Sequence, residues 1–434
     1  MPASTQPARR TLSPSEAVYI RLRTFIVYSV CVDGDIDLSA MRRAFVALRE
    51  AHPLLGCTLK QNGEEAYFES DDIGQPTVLV SEREPDPLAL PGLELDQARA
   101  LSGLEIVRRG HRARVDLHVH HSMADAAHGL TLLEELWARY TDCVTNGDTA
   151  LDVVEVQPLP ASYEELLAAR GVRKGERTGL EWLAPPSPAT PSPAAPKPEP
   201  IRHELSMTRG RMRLTNETTA ALEQAARANG TTLDALASAA ILAAAASFHP
   251  AAATRSDASP TPLPFILAMN VRPHLTPPAK PADGTTMMGL STHLALFGPR
   301  TSLLDVARGI DQRRNAELSE GLIQQAVLHE SFTKTPEKVT PPTEVVAVFS
   351  TNWGMIPDVR VPDGLVATDF VGMLFPPART HAGVPMFLLT TFQGQLSMQA
   401  MFTAARPGLP TTQQILDAVK SQIDGLLRNN EVAR

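Results

Sequence analysis

Cysteine is scarce in this chain: Cys31, Cys57 and Cys143 are the only three in 434 residues, and they lie far apart. With no Cys-x-x-Cys pair, neither a zinc ribbon nor a disulfide framework is supported, and a reducing cytoplasm is the expected compartment. Long apolar runs are missing as well. The longest, Ala235 to Phe248, is alanine-dominated and too short to cross a bilayer core of about 30 Å. The polar opening Met1 to Thr11 leads into no apolar stretch of the kind a signal peptide needs. Nor is there an excess of positive charge. Forty Lys and Arg stand against 48 Asp and Glu, and the formal charge of −8 argues against a general nucleic-acid or membrane-surface role.

What remains is the composition of a globular protein, 43% hydrophobic and 20% charged, long enough for two domains. Pro185 to Pro200 holds eight prolines among small and charged residues, so it cannot bury a core and reads as an extended spacer. The expected organisation is an N-terminal lobe over 1–182, a linker over 183–203 and a C-terminal lobe over 204–434. Two shorter Pro-rich stretches, His249 to Pro264 and Pro273 to Gly284, read as exposed loops. Strands are expected at Thr24–Val32, Leu55–Lys60, Glu65–Glu69, Leu104–Arg108, Arg112–His120, Phe265–Val271 and Val345–Asn352. Met386–Thr391 and Gln395–Phe402 read as a hairpin around Gly394. Asp37 can cap a helix with a Leu38, Met41, Phe45, Leu48 stripe. Thr231 with Asp234 resembles a capping box for a helix reaching Phe248. Ser302 to Phe332 reads as one long helix and Thr411 to Leu427 as a last amphipathic one. Both halves mix α and β, which suits two sandwiched lobes of an α/β (α+β sandwich) class.

The densest chemistry lies in Val115-Asp116-Leu117-His118-Val119-His120-His121-Ser122-Met123-Ala124-Asp125. Strand alternation puts Val115, Leu117 and Val119 on one face and Asp116, His118 and His120 on the other. A continued strand would carry His121 to the face opposite His120, so only one of the pair looks into any given cavity. Leu130, Leu133, Leu136, Trp137 and Tyr140 then mark a helix from about Ala126 to Thr141, which leaves Asp125 at its N-terminus. Three readings compete. The histidines can be satisfied polar residues at a strand end, with Asp125 a cap worth about 1 kcal/mol. His118, His120, His121, Asp125 and His128 can be metal ligands, but a His-x-His-x-Asp-His pattern would need Asp at Ser122 and His at Met123. No His-Glu-x-x-His helix exists either, and no metal site is assigned. The third reading makes one neutral imidazole a base for a substrate hydroxyl.

That third reading is carried by a resemblance. His120-His121-x-x-x-Asp125 is similar to the His-His-x-x-x-Asp-Gly signature of the chloramphenicol acetyltransferase-like acyltransferases, which include nonribosomal peptide condensation domains. His128-Gly129 and the opening Leu12-Ser13-Pro14-Ser15-Glu16 resemble the polyketide-associated branch. His52-Pro53-Leu54-Leu55, Asn270-Val271-Arg272 and Thr351-Asn352-Trp353-Gly354 follow as landmarks in the expected order. Two positions depart from the pattern: Ala126 replaces the motif glycine, and Asn352 stands where many relatives have Asp.

The resemblance implies two lobes forming a V with a tunnel between them. Within it, His121 would be the general base, Asp125 and Arg272 an ion pair fixing the motif loop, and His120 structural. Asn352 and Trp353 would line or brace the tunnel, although a core tryptophan in a turn is the bland alternative. It further implies no bound cofactor, a donor that is acyl-CoA or an acyl-phosphopantetheine carrier protein, and a lipid-like alcohol or diol as acceptor. A carrier protein or polyketide synthase would dock on a basic patch, for which Arg313-Arg314 is the candidate beside its reading as a plain solvated helix face. A monomer is expected. Two rivals stay open: an amide-forming condensation enzyme, and a non-catalytic acyl- or lipid-binding relative.

Overall fold

The computed structural model describes residues 9–62, 65–70, 76–147, 159–179, 207–248, 260–298, 301–330, 347–375, 385–403 and 410–432. The Pro-rich linker expected at 183–203 lies outside them, as do 1–8 and most of the expected loop after His249.

Two sheets carry the chain. The first is five-stranded, ordered β12-β2-β7-β6-β5, with β2 at Phe25–Asp33, β5 at Val78–Glu82, β6 at Ser102–Arg109, β7 at Arg112–His120 and β12 at Val366–Phe375. The second is six-stranded, ordered β10-β9-β11-β13-β14-β8. Its members are β8 (Met207–Arg213), β9 (Thr261–Asn270), β10 (Met288–Phe297), β11 (Val348–Met355), β13 (Met386–Phe392) and β14 (Gln395–Thr403). A small third sheet joins β1 (Arg9–Thr11), β4 (Glu65–Glu69) and β3 (Thr58–Asn62).

Each large sheet buries one face under helices. On the first, α2 (Leu38–Ala51) and α3 (Ala126–Asn146) press Met41, Phe45, Leu48, Leu133, Leu136 and Trp137 onto Val115, Leu117 and Val119. Asp37 caps α2 as its sequence predicts, accepting from the Ser39 and Ala40 amides. On the second, α5 (Asn216–Ala228), α6 (Leu233–Ser247), α7 (Leu303–Ser319) and the closing helix Thr412–Val432 form the cover. Nearly all of α6 is buried, and its alanines let neighbouring helices approach closely. Among the described residues no single helix is long and apolar enough to cross a membrane.

Four sequence expectations need correction. β12 comes from the C-terminal half yet completes the N-terminal sheet, pairing antiparallel with β2 from Val366↔Asp33 to Phe375↔Phe25. The expected loop ending at Pro264 gives way to strand at Thr261: β9 pairs there only with β10, so Pro262 and Pro264 forfeit no bond to β11, whose pairing starts at Phe265. The single helix expected over 302–332 stops at Ser319. Gly321 takes a left-handed φ of 72° and a short helix α8 (Leu322–Gln325) restarts beyond it. Thr232, not Thr231, caps α6, because Thr231 spends its hydroxyl on Asp311 and Asp234 reaches across to Asn352.

Candidate active site

β7 ends at His120. The His121 amide donates to the Thr24 carbonyl at 2.8 Å, one step further in the register that pairs Phe25 with His120, so strand alternation carries its side chain to the face opposite His120. His120 is fully buried between Ser122 Oγ (2.7 Å from Nδ1) and Gln97 Oε1 (3.0 Å from Nε2), with Phe25 edge-on to its ring. Both its nitrogens are committed. His121 instead lines a cavity of about 260 Å³ between the two large sheets, walled by Ile26 and Leu374 on one side and Leu290, Phe349 and Leu388 on the other. Its Nδ1 donates to the Ala124 carbonyl at 3.2 Å. A carbonyl only accepts, so the neutral ring carries its lone pair on Nε2. Burial pushes the imidazole down to about 4, which keeps it neutral at physiological pH.

Asp125 does two jobs with one carboxylate. Oδ1 caps the helix that follows, accepting the His128 amide at 3.1 Å. Oδ2 accepts Arg272 Nη1 at 2.6 Å and the Met287 amide at 2.7 Å, both from the C-terminal half. Burial alone would raise this carboxyl; the Arg272 charge and the Met287 and His128 donors outweigh it and hold the group below the usual carboxylate range. Arg272, 1% exposed, completes its valences on Asn270 Oδ1, the Asp283 carbonyl and the Thr285 carbonyl. Thr286 Oγ1 donates to the carbonyl of His121 itself. The motif loop is thus riveted to the segment between β9 and β10.

Ala126 is the first residue of α3 and lies outside the positive-φ residues, so this turn needs no glycine. Gly129 is required for a different reason. Tyr28 Oη donates to the Asp125 carbonyl at 2.9 Å, and a Cβ at Gly129 would lie 1.9 Å from that oxygen.

Asn352 and Trp353 both line the cavity wall. Asn352 Nδ2 donates to Asp234 Oδ1 at 3.0 Å while its Oδ1 accepts the Gly354 amide at 2.8 Å. An aspartate here would set two carboxylates against each other, which accounts for the amide. Trp353 packs on Tyr28 at 5.3 Å and covers Gly372. The basic docking patch expected at Arg313 and Arg314 is neutralised. Arg314, with a side chain 15% exposed, bonds Asp234 and Asp311, and Arg313 bonds Glu317 at 2.7 Å.

Of the histidines weighed as metal ligands, only His118 belongs to a cluster of three potential ligands among the described residues, with Glu105 and Asp116. Glu105 Oε2 accepts the Gly92 and Leu93 amides, and Asp116 Oδ2 accepts from Arg114 Nε and Nη2. Sequence reasoning overlooked Tyr19, Tyr28, Thr285 and Thr286. No spacing rule reaches them, because each meets the motif from a distant part of the chain.

This geometry has known counterparts. Residues 203–401 match the model of the phthiocerol/phthiodiolone dimycocerosyl transferase C-terminus. A phthiocerol/phthiodiolone dimycocerosyl transferase of Mycobacterium bovis is 31% identical over 424 residues, covering 95% of each chain. That of a Mycobacterium species, strain JLS, is 31% identical over 425 residues, covering 97% of this chain and 99% of its own. Among solved structures, polyketide synthase associated protein 5 from Mycobacterium tuberculosis superposes with a TM-score of 0.78 at 30% identity, covering 98% of this chain and 100% of that one. A trichothecene 15-O-acetyltransferase from Fusarium sporotrichioides, at 11% identity and a TM-score of 0.69 over 98% of this chain and 96% of its own, shows the fold alone. The two-lobed architecture is therefore that of the chloramphenicol acetyltransferase-like and condensation-domain folds. Sequence, fold and motif agree, and the chain belongs to the phthiocerol/phthiodiolone dimycocerosyl transferase family of acyltransferases.

Proposed function

We propose that this acyltransferase moves a long, polyketide-derived acyl group from a thioester, on coenzyme A or a phosphopantetheine carrier protein, to a hydroxyl of a lipid-like alcohol or diol in the cytoplasm. His121 is the general base. Its Nε2 takes the hydroxyl proton as the alcohol oxygen attacks the thioester carbonyl carbon. The tetrahedral intermediate then collapses with loss of the carbon–sulfur bond, and the imidazolium returns the proton to the departing thiolate. Ester and free thiol leave, and the base is regenerated. Positioned proton transfer of this kind contributes roughly 10²- to 10⁴-fold. Asp125 and Arg272 position the loop that carries the base, His120 is structural, and Asn352 and Trp353 shape the wall.

The observation that carries this reading is a neutral, buried imidazole whose free Nε2 belongs to a largely apolar cavity between two sheets. Met269, Met287, Met288, Met386 and Met401 all contribute to its lining. Unbranched thioether side chains adapt to irregular shapes, which supports an acyl chain that is long or branched. The test is thiol release and ester formation from a series of acyl-CoAs and an acyl-loaded carrier protein with a long-chain alcohol. Wild type should form ester and His121→Ala should not, with the variant's melting temperature within about 3 °C of wild type. Full activity in His121→Ala refutes the base, and amide formed in preference to ester with a matched amine refutes the acceptor class.

A further inference from the structure

The helix α1, Pro14–Leu22, joins neither large sheet, yet Ser15, Val18, Tyr19 and Leu22 of this helix line the cavity. Its first turn is pinned from three sides. Glu16 is fully buried and accepts Thr285 Oγ1 at 2.6 Å, the Ser13 amide at 2.9 Å and Arg10 at 2.7 Å. Ser15 donates its amide and hydroxyl to Glu164 at 2.8 and 2.9 Å. Thr285 is the residue whose carbonyl holds Arg272, so α1 is anchored to the same rivet as Asp125.

One turn after Glu16, the Tyr19 ring lies flat on the His121 imidazole, centroids 4.0 Å apart and planes 22° from parallel. The final torsion of a histidine side chain has broad minima, so rotamer preference does not fix the plane of the ring. A single 3.2 Å hydrogen bond from Nδ1 constrains it weakly. The stacked ring supplies the missing restraint and shuts water out from one face of the imidazole. Its hydroxyl has no hydrogen-bond partner among the described residues, so the flat ring is the part that acts.

We infer that Tyr19 is a positioning residue for His121, a platform that sets the plane of the imidazole and thereby aims Nε2 into the cavity. This rests on the reading of His121 as the base and deepens it. The groups that face His121 are Tyr19 from α1 and His120 and Asp125 on its own segment. Arg272, Tyr28, Tyr163 and His128 surround Asp125 behind it. Of these, Tyr19 alone is stacked on the His121 ring among the described residues.

The test compares Tyr19→Phe, which keeps the platform, with Tyr19→Leu, which removes it. Tyr19→Met, of greater volume than Leu and without a ring, stands in where the Leu variant does not fold. The first readout is the histidine ring 13Cε1–1Hε1 spectrum titrated with acid, the His121 signal assigned by its loss in His121→Ala. The second is kcat and KM with palmitoyl-CoA and 1-octanol across pH. Tyr19→Phe should match wild type in titration and stay within about 3-fold in kcat. In Tyr19→Leu, water reaches the ring, so the titration midpoint should climb from about 4 towards 6.5 and the acid limb of the rate profile should climb with it. Misaimed base and substrate should lower kcat by about 10- to 100-fold and leave KM within about 3-fold. A folded Tyr19→Leu protein with the wild-type titration overturns the inference, and so does a shifted titration with wild-type kcat. If wild type turns over neither palmitoyl-CoA nor an acyl carrier, the transfer reading fails. The titration then still decides whether Tyr19 sets the environment of His121.

Discussion

Asp125→Ala offers the sharpest test of how the motif loop is held. The substitution strands Arg272, a guanidinium 1% exposed, without the one anionic partner it has among the described residues. It also leaves the Met287 and His128 amides without their carboxylate acceptor. Breaking a buried ion pair from one side costs about 3–5 kcal/mol. The lost cap contributes about 1 kcal/mol and the stranded Met287 amide about 1–3 kcal/mol. These terms overlap, because Arg272 keeps three other acceptors, so a total of about 5 kcal/mol is expected. That is a large share of the roughly 5–15 kcal/mol by which domains are stable. Urea denaturation should show the midpoint falling with an unchanged slope. In Asp125→Ala/Arg272→Ala the unpaired charge is gone, so the double variant should recover at least about 1 kcal/mol relative to the sum of the singles. A loss below about 1 kcal/mol in Asp125→Ala, or strict additivity in the double variant, would refute the reasoning.

Gly129→Ala should destabilise by about 1–3 kcal/mol through overpacking against Tyr28, and Tyr28→Ala in the same chain should remove most of that increment; a neutral Gly129→Ala by thermal melt would show that the tyrosine moves aside freely. Acid should also weaken the fold before carboxylates protonate. Burial holds His118 and His120 down to about 3 and His121 and His128 down to about 4, against about 6.5 in the unfolded chain. The unfolded state therefore binds more protons below 6.5, so stability is full above that pH and is lost as pH falls towards 4, at up to about 1.4 kcal/mol per pH unit for each histidine. Urea midpoints at pH 7, 6 and 5 should fall steadily; a flat series contradicts it.

Local features were legible in the sequence because they depend on local chemistry. The alternation of Val115, Leu117 and Val119 marked the apolar face of β7 that packs under α2 and α3, and the strand ends at His120 as expected. The Leu130-to-Tyr140 stripe marked α3, and Gly394 the β13–β14 turn. Arg272 was found only through the resemblance, since nothing in 147 residues of separation announces that it meets Asp125. The same blindness hid β12, which is not among the expected strands and whose partner β2 lies more than 300 residues earlier in the chain. It also hid Tyr19, an aromatic on a short helix until His121 is placed under it. Where a local rule misled, a distant group had claimed the residue: Asp311 took Thr231, and Asn352 took Asp234.

The crossing of β12 bears on how this architecture can be taken apart. Because Val366–Phe375 is an edge strand of the first sheet, cutting the chain between residues 179 and 207 does not yield two self-sufficient modules. The N-terminal fragment would expose the hydrogen-bonding edge of β2, a template for aggregation. The C-terminal fragment would carry an apolar strand with no sheet to join. Exchange of whole lobes between relatives should therefore succeed only when β12 travels with the lobe it completes, so the unit of recombination is set by strand pairing and not by chain order.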